Sequence, residues 1–129
     1  MTFELSQLVP LYLAFAAKHL LADFFLQTDW MAKGKARASS WLGPLAAHAG
    51  VHAAGTLLVA LVFAPALWWL AAVDFVLHAA IDRTKGVVTR GWIPAEARFW
   101  SAFGVDQSAH QLTHFGSVVA MLVQASAIA

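Results

Sequence analysis

Four apolar segments constrain what this chain can fold into, because each is about as long as the 20-residue helix that crosses a bilayer. They cover residues 5–27, 44–64, 66–85 and 105–128. Of the 129 residues, 60% are hydrophobic and only 12% are charged, whereas soluble domains carry about 25% charged residues. The sequence therefore predicts an all-α integral membrane protein, in which residues 1–129 form one domain built as a four-helix transmembrane bundle.

The basic residues indicate how such a bundle is oriented. Seven of the eight Lys and Arg residues lie in two connections, residues 28–43 and 83–104. Basic loops remain in the cytoplasm, so we expect a multi-pass protein of the bacterial inner membrane with both termini outside the cytoplasm. Residues 28–39 are expected to form a short interfacial helix capped by Asp29. The amino terminus does not resemble a signal peptide, because Lys18 and Asp23 interrupt its apolar run.

Composition also limits the partners and the chemistry. The net charge of +1 does not favour nucleic acid, and the absence of cysteine excludes disulfides, thiolate catalysis and Cys-ligated metal sites. We expect membrane lipids as partners. The small residues of segment 46–55 would allow close helix packing, within the bundle or in a homo-oligomer.

Histidine and aspartate follow a helical spacing. Each of the six histidines has a His or Asp four residues away, one turn along the same helix face; for a random histidine this happens roughly one time in six. The groups are His19 with Asp23, His48 with His52, His78 with Asp74 and Asp82, and His110 with Asp106 and His114. Counted at about 1.5 Å per residue, they converge in the cytoplasmic half of the bundle, with Asp74 nearer the midplane.

These polar groups need compensation, because one charged residue at the centre of a membrane helix costs about 2.5–3.5 kcal/mol. Pairing with Lys18, Arg83 and Lys85 offsets only part of this cost, and a divalent metal would provide the rest. Either two zinc ions, or one ion with a second shell of Asp–His hydrogen bonds, would account for the set; iron is the alternative metal. The predicted ligands are His19, Asp23, His48, His52, His78, Asp82, His110 and His114.

Other roles remain open for some of these residues. The histidines and carboxylates can instead form a hydrogen-bonded polar core that joins the helices. Asp106 is either a site residue or the N-cap of the fourth helix. Asp74 either pairs with Lys18 or transfers protons.

Four stretches of the chain resemble a bacterial family of small integral-membrane proteins that is catalogued as domain of unknown function 3307. They are HLLADFFLQTDWMAKGK at 19–35, LAAHAGVH at 45–52, HAAIDRTK at 78–85 and FGVDQSAH at 103–110. The resemblance implies the four-helix architecture and the polar constellation, but no reaction. The site chemistry is also similar, more loosely, to that of intramembrane zinc hydrolases such as alkaline ceramidases.

The leading hypothesis is therefore a zinc-dependent hydrolase that acts on a lipid-like ester, amide or phosphoester. Asp23, Asp82 and Asp106 are the candidate catalytic carboxylates, and Gln27 and Gln107 the candidate substrate-binding residues. A di-iron oxidase or hydroxylase is the second hypothesis. The third is a protein without catalytic activity that binds metal or haem, or that transports metal ions or protons.

Overall fold

The computed structural model describes residues 5–128, and the side chains of residues 5–127. Residues 1–4 and 129 of the predicted domain lie outside this range. Within it the chain is all-α, with no strand. The helices are α1 (Leu5–Leu20), α2 (Asp29–Gly34), α3 (Leu42–Phe63), α4 (Leu70–Val88) and α5 (Ala97–Ile128), with a π-helical turn at Leu21–Phe25 and a 3-10 turn at Pro65–Leu67.

The four long helices pack in a ring. Helix α1 contacts α3 and α5, and α4 contacts α3 and α5. Helices α3 and α4 form the most extensively packed pair, because only the turn at Pro65–Leu67 separates them. The short helix α2 packs against α3. Its N-cap is Thr28, whose side chain accepts from the Met31 amide, and not Asp29 as predicted. The salt bridge from Lys33 lowers the pKa of the exposed Asp29 carboxyl.

Each of the four predicted apolar segments contains a long helix, but the helices begin and end at other residues than the predicted segments do. The first regular helix ends at Leu20, and α4 begins at Leu70 after the 3-10 turn. Helix α5 begins at Ala97, eight residues before the apolar segment predicted at 105–128. This first part, ARFWSAFG, lies in the basic connection predicted at 83–104 and outside the apolar segment, so the apolar pattern did not mark it as helix. Asp106 consequently lies inside α5, and the N-cap alternative for it is wrong.

Each long helix buries one narrow stripe, and large apolar side chains lie on the outside. In α4 the buried residues recur at every fourth position: Leu70, Asp74, His78, Asp82 and Gly86. Leu58, Val62 and Leu112 are among the apolar side chains on the outer surface, and each is at least 66% exposed. A water-soluble bundle has the opposite arrangement, with charged residues on its outer face.

Two segments are long and apolar enough to cross a membrane, Leu5–Phe25 and Leu42–Phe63. Among the described residues, α4 and α5 do not meet that criterion, because acidic, basic, histidine and glutamine residues lower their hydropathy. Membrane crossing by these two helices therefore remains a prediction.

The interior has two layers. At one end, Leu11, Phe15, Val118, Met121 and Leu122 are among the residues that form an apolar core. At the other end, the interior is filled by histidine, aspartate and lysine side chains. As predicted, the buried polar side chains are concentrated in one half of the bundle.

Candidate metal centre

All four long helices contribute to the polar layer, and its six imidazoles are buried. His48 and His52 are 0% exposed, and none of the others exceeds 5%. The i, i+4 pairs lie along the buried stripes, so each pair faces the interior. The converging atom of each histidine is its Nε2, which lies within 4.0 Å of a carboxylate oxygen.

Asp23 joins three of these histidines. Its Oδ1 lies 3.0 Å from the Nε2 of His52 and 3.2 Å from that of His48. Its Oδ2 lies 3.2 Å from the Nε2 of His19. The π-helical turn at Leu21–Phe25 contains Asp23 and closes with a hydrogen bond from the Leu26 amide to the Leu21 carbonyl. Turns of this kind are rare and occur often at functional sites.

Asp82 has the same relation to a second group of histidines. Its Oδ2 lies 3.3 Å from the Nε2 of His48 and 3.5 Å from that of His78. Its Oδ1 lies 3.6 Å from the Nε2 of His110. The Nε2 atoms of His48 and His78 are 3.2 Å apart, so the imidazoles converge on each other as well as on the carboxylates.

Three groups have ligand atoms that all lie within 4.8 Å of one another, and each can hold a metal ion. They are Asp23, His48, His52 and His78; His19, His52 and His114; and His78, Asp82 and His110. The groups overlap at His52 and His78, and one Nε2 lone pair can bind only one ion. Two ions held at once must therefore use the second and third groups.

Asp23 and His48 remain after this division, and they also contact each other, with Asp23 Oδ1 3.2 Å from His48 Nε2. Asp23 contacts His19 and His52, whereas His48 contacts His78 and Asp82. When Asp23 and His48 are assigned by these further contacts, the eight predicted ligands form two sets of three imidazoles and one carboxylate, which touch at the Asp23–His48 contact. We call them the first set (His19, Asp23, His52 and His114) and the second set (His48, His78, Asp82 and His110).

The contacts also distinguish the two predicted arrangements. Metal-bound histidines commonly donate their second ring N–H to a carboxylate. Here the carboxylates face the converging Nε2 atoms, and the Nδ1 atoms of all six histidines have no hydrogen-bond partner among the described residues. The carboxylates therefore lie beside the ring nitrogens that could bind an ion and not behind the imidazoles, so the contacts fit two ions better than one ion with a second shell of aspartates. Ring stacking orients several imidazoles, with centroids 3.6 Å apart for His52 and His78 and 4.1 Å for His78 and His110.

Two lysines form salt bridges with carboxylates that also contact the histidines, Lys35 with Asp82 and Lys85 with Asp106. The two distances are 2.8 Å and 3.0 Å. A compensating role was predicted for Lys85 but not for Lys35, which approaches because Gly86 has no side chain. A Cβ at Gly86 would lie 3.0 Å from the Ala36 Cα.

Arg83, which was predicted to compensate a carboxylate, does not do so. Its guanidinium donates to the carbonyl oxygens of Lys35 and Arg37, at 3.3 and 2.9 Å, and lies over the Trp41 ring at 4.1 Å from the centroid. It therefore holds the connection between α2 and α3 in place instead of entering the polar layer.

A separate buried ion pair lies between the histidines and the apolar core. Lys18 donates to Asp74 Oδ2 at 2.7 Å, and the Thr56 hydroxyl donates to the same oxygen at 2.7 Å. The Lys18 ammonium is also 3.2 Å from His114 Nε2. The pairing of Asp74 with Lys18 is therefore confirmed; Thr56 was missed, since a lone threonine in an apolar helix gives no signal.

The remaining predicted residues lie at the edge of the histidine layer. Asp106 Oδ1 is 3.6 Å from His110 Nε2. Gln107 Oε1 lies 3.0 Å from His19 Nε2, and its Nε2 donates to Asp106 at 3.2 Å. Gln27 donates to the Asp23 carbonyl at 3.0 Å. Asp106, Gln107 and Gln27, together with Lys35 and Lys85, line a cavity of about 90 Å³, which we call the entrance cavity.

Comparisons with known proteins agree with the earlier resemblance. No curated protein and no solved structure matches the chain. Residues 11–128 match the family model described as protein of unknown function (DUF3307). The matched range includes every residue of the two sets. The chain therefore belongs to the DUF3307 family.

Proposed function

We propose that this protein is a membrane-embedded hydrolase that uses two divalent metal ions. The observation that carries the proposal is the assignment of eight converging groups, seven of them buried and Asp23 partly buried, to two sets of three imidazoles and one carboxylate. Nitrogen and oxygen ligands of this kind suit zinc, and also iron or manganese. Two adjacent ions are a recurring arrangement in enzymes that hydrolyse phosphoesters and peptides.

The surface of the bundle supports an integral position in the bacterial inner membrane. Apolar side chains cover the outside of all four long helices, and two of the helices satisfy the length and hydropathy of a membrane span. We propose that α4 and α5 also span the membrane, with their polar stripes turned inward. The two basic connections would then lie in the cytoplasm and both termini outside it.

Hydrolysis fits the site better than transport does. A conduction path needs polar groups across the full membrane, whereas Leu11, Phe15 and Met121 are among the residues that close the interior beyond the Lys18–Asp74 pair. Among the described residues, the buried polar side chains reach only one end of the bundle. The entrance cavity at that end gives water and a substrate headgroup access to the two sets.

The residues have distinct roles in this proposal. When bound, two divalent ions would supply an activated water and polarise the carbonyl or phosphoryl oxygen of the substrate. Asp106 lies at the edge of the second set, where its carboxylate can accept the proton of the attacking water and return it to the leaving group. Gln107 and Gln27 would orient the substrate headgroup. Water adds across the scissile bond, so the reaction needs no further reactant.

Metal content of the detergent-purified protein tests the proposal. We expect two equivalents of zinc in the wild type. His19→Ala, in the first set, and His110→Ala, in the second, should each lose one equivalent and keep the other. Asp29→Ala serves as the control, because this carboxylate lies outside both sets and is exposed; it should keep both equivalents. Far-UV circular dichroism on the same samples confirms that the helices are folded.

Three results would change the account. A folded wild type without metal would refute the metal centre and leave a polar core. Loss of all metal in both single variants would refute two separate sets. Iron in place of zinc, with turnover that depends on oxygen, would identify a di-iron oxidase instead of a hydrolase.

A further inference from the structure

A groove runs along the outside of the bundle between α1 and α5. Its volume is about 660 Å³, and apolar side chains, including those of Tyr12, Leu20, Phe24, Leu112 and Phe115, dominate its lining. At a rise of about 1.5 Å per helical residue, the distance along the groove from Tyr12 to Phe24 is roughly 18 Å. This is close to half of the roughly 30 Å hydrocarbon core, so the groove has the length of one lipid leaflet.

The groove meets the metal centre at its polar end. His19, a member of the first set, and Gln107 belong to its lining. Phe24 and Gln107 also line the entrance cavity, so the groove and the cavity lie next to each other. A molecule with its chain in the groove would therefore place its headgroup beside the ligands of the proposed ions.

The charge of the site indicates the sign of that headgroup. Four carboxylates of the polar layer, three buried and that of Asp23 partly buried, face three lysines, which leaves one negative charge. Two divalent ions would convert this to three positive charges. Lys35 and the proposed ion would also compete for Asp82, so the loaded site would release a lysine ammonium toward the entrance cavity. Such a site requires an anionic ligand.

We infer that the substrate is a lipid phosphate, with its acyl chain in the groove between α1 and α5 and its phosphate between Lys35 and Lys85. This inference rests on the proposed function and narrows its substrate class from esters and amides to phosphoesters. Lysine binds phosphate as a point charge, and two metal ions stabilise both the attacking and the leaving oxygen of a phosphoryl group.

A second groove, between α4 and α5, fits this role less well. Its volume is about 460 Å³, and it reaches Lys85 and Asp106. Among the described residues, however, its lining contains no histidine. A chain bound there would leave the first set without contact to the substrate.

Lipid retention measured by native mass spectrometry tests the inference. The zinc-loaded protein is incubated in a neutral detergent with dioleoyl phosphatidic acid, used as its non-hydrolysable phosphonate analogue so that it is not converted during the incubation, or with dioleoylglycerol, which has the same chains without the phosphate. We expect at least tenfold preferential retention of the phosphatidic acid. Ala16→Phe, which fills the groove, should lower that retention at least tenfold. Ala72→Phe fills a groove between α3 and α4 that lacks charged residues, and should have no effect.

Lysine variants test the headgroup position separately. Lys35→Gln combined with Lys85→Gln should abolish the preference for phosphatidic acid without changing retention of dioleoylglycerol. Lys33→Gln is the control, since Lys33 lies on the exposed face of α2. Equal retention of both lipids by the wild type, or unchanged retention by Ala16→Phe, would overturn the inference.

Zinc content, measured on the same samples, separates the two proposals. Two equivalents of zinc without a lipid preference would refute the lipid site and leave the metal centre. A lipid preference that Ala16→Phe abolishes, in a protein without metal, would refute the metal centre and support the lipid site.

Discussion

Replacing Lys18 with methionine tests how the bundle tolerates charge in its interior. Methionine keeps most of the side-chain volume but removes the ammonium that lies 2.7 Å from Asp74 Oδ2. The two side chains are 5% and 3% exposed. At this distance, with an effective dielectric constant of about 20, the Coulomb attraction is about 6 kcal/mol, which offsets the desolvation of both groups. Removing one partner of a buried pair costs about 3–5 kcal/mol.

The double variant Lys18→Met, Asp74→Leu provides the decisive comparison. It removes both charges, so no buried carboxylate is left without its cation. Replacing a whole buried pair with apolar groups is often neutral or stabilising. We therefore expect the double variant to recover most of the stability that Lys18→Met loses. The free energy of unfolding can be measured by titration with sodium dodecyl sulfate, followed by circular dichroism.

An exposed pair in the same chain is the matched control. Lys33 and Asp29 are 2.6 Å apart, but their side chains are 71% and 88% exposed. Lys33→Met should leave the free energy of unfolding unchanged, because water screens this pair. A Lys18→Met variant no less stable than Lys33→Met, or a double variant less stable than Lys18→Met alone, would contradict a costly unpaired charge at Asp74.

Three further predictions concern packing, metal and topology. Gly55→Ala should destabilise the bundle by about 1–3 kcal/mol, because its Cβ would lie 2.6 Å from Lys18 Cγ; unchanged thermal unfolding would contradict this contact. Removal of metal by a chelator should lower the unfolding free energy by about 2.7 kcal/mol for each bound ion, relative to zinc at one hundred times its Kd; the same stability with and without zinc would contradict specific binding. In this cysteine-free chain, Ser39→Cys should react with an impermeant maleimide only from the cytoplasmic side, and Ala66→Cys only from the opposite side. Labelling of both from one side would refute the proposed topology.

The spacing of polar residues predicted much of the site. A period of four along an apolar helix determines which side chains share a face, and one face must lie inside. His48 and His52 are therefore both buried on α3, as expected. The same reasoning placed His110 and His114 together on α5, and helix packing brought these pairs within a few ångströms of each other.

Contacts between distant segments could not be predicted from the spacing. Lys35 reaches Asp82 because the chain approaches α4 at Gly86, and nothing in the local sequence indicates this. The π-helical turn around Asp23 is also invisible in the pattern, since it depends on an i+5 hydrogen bond within an otherwise ordinary apolar helix. The predicted start of α5 was wrong because hydropathy indicates only which residues suit the interior of a membrane. The helix itself begins where its backbone hydrogen bonds begin, at Ala97.

The central claim is that two metal ions lie side by side in the polar layer. X-ray absorption spectroscopy at the metal edge of the purified protein tests it most directly. The account predicts nitrogen and oxygen ligands only, multiple scattering from about three imidazoles per ion, and a metal–metal vector of roughly 3.5–4 Å. A spectrum without imidazole scattering, or with a single isolated ion, would contradict it.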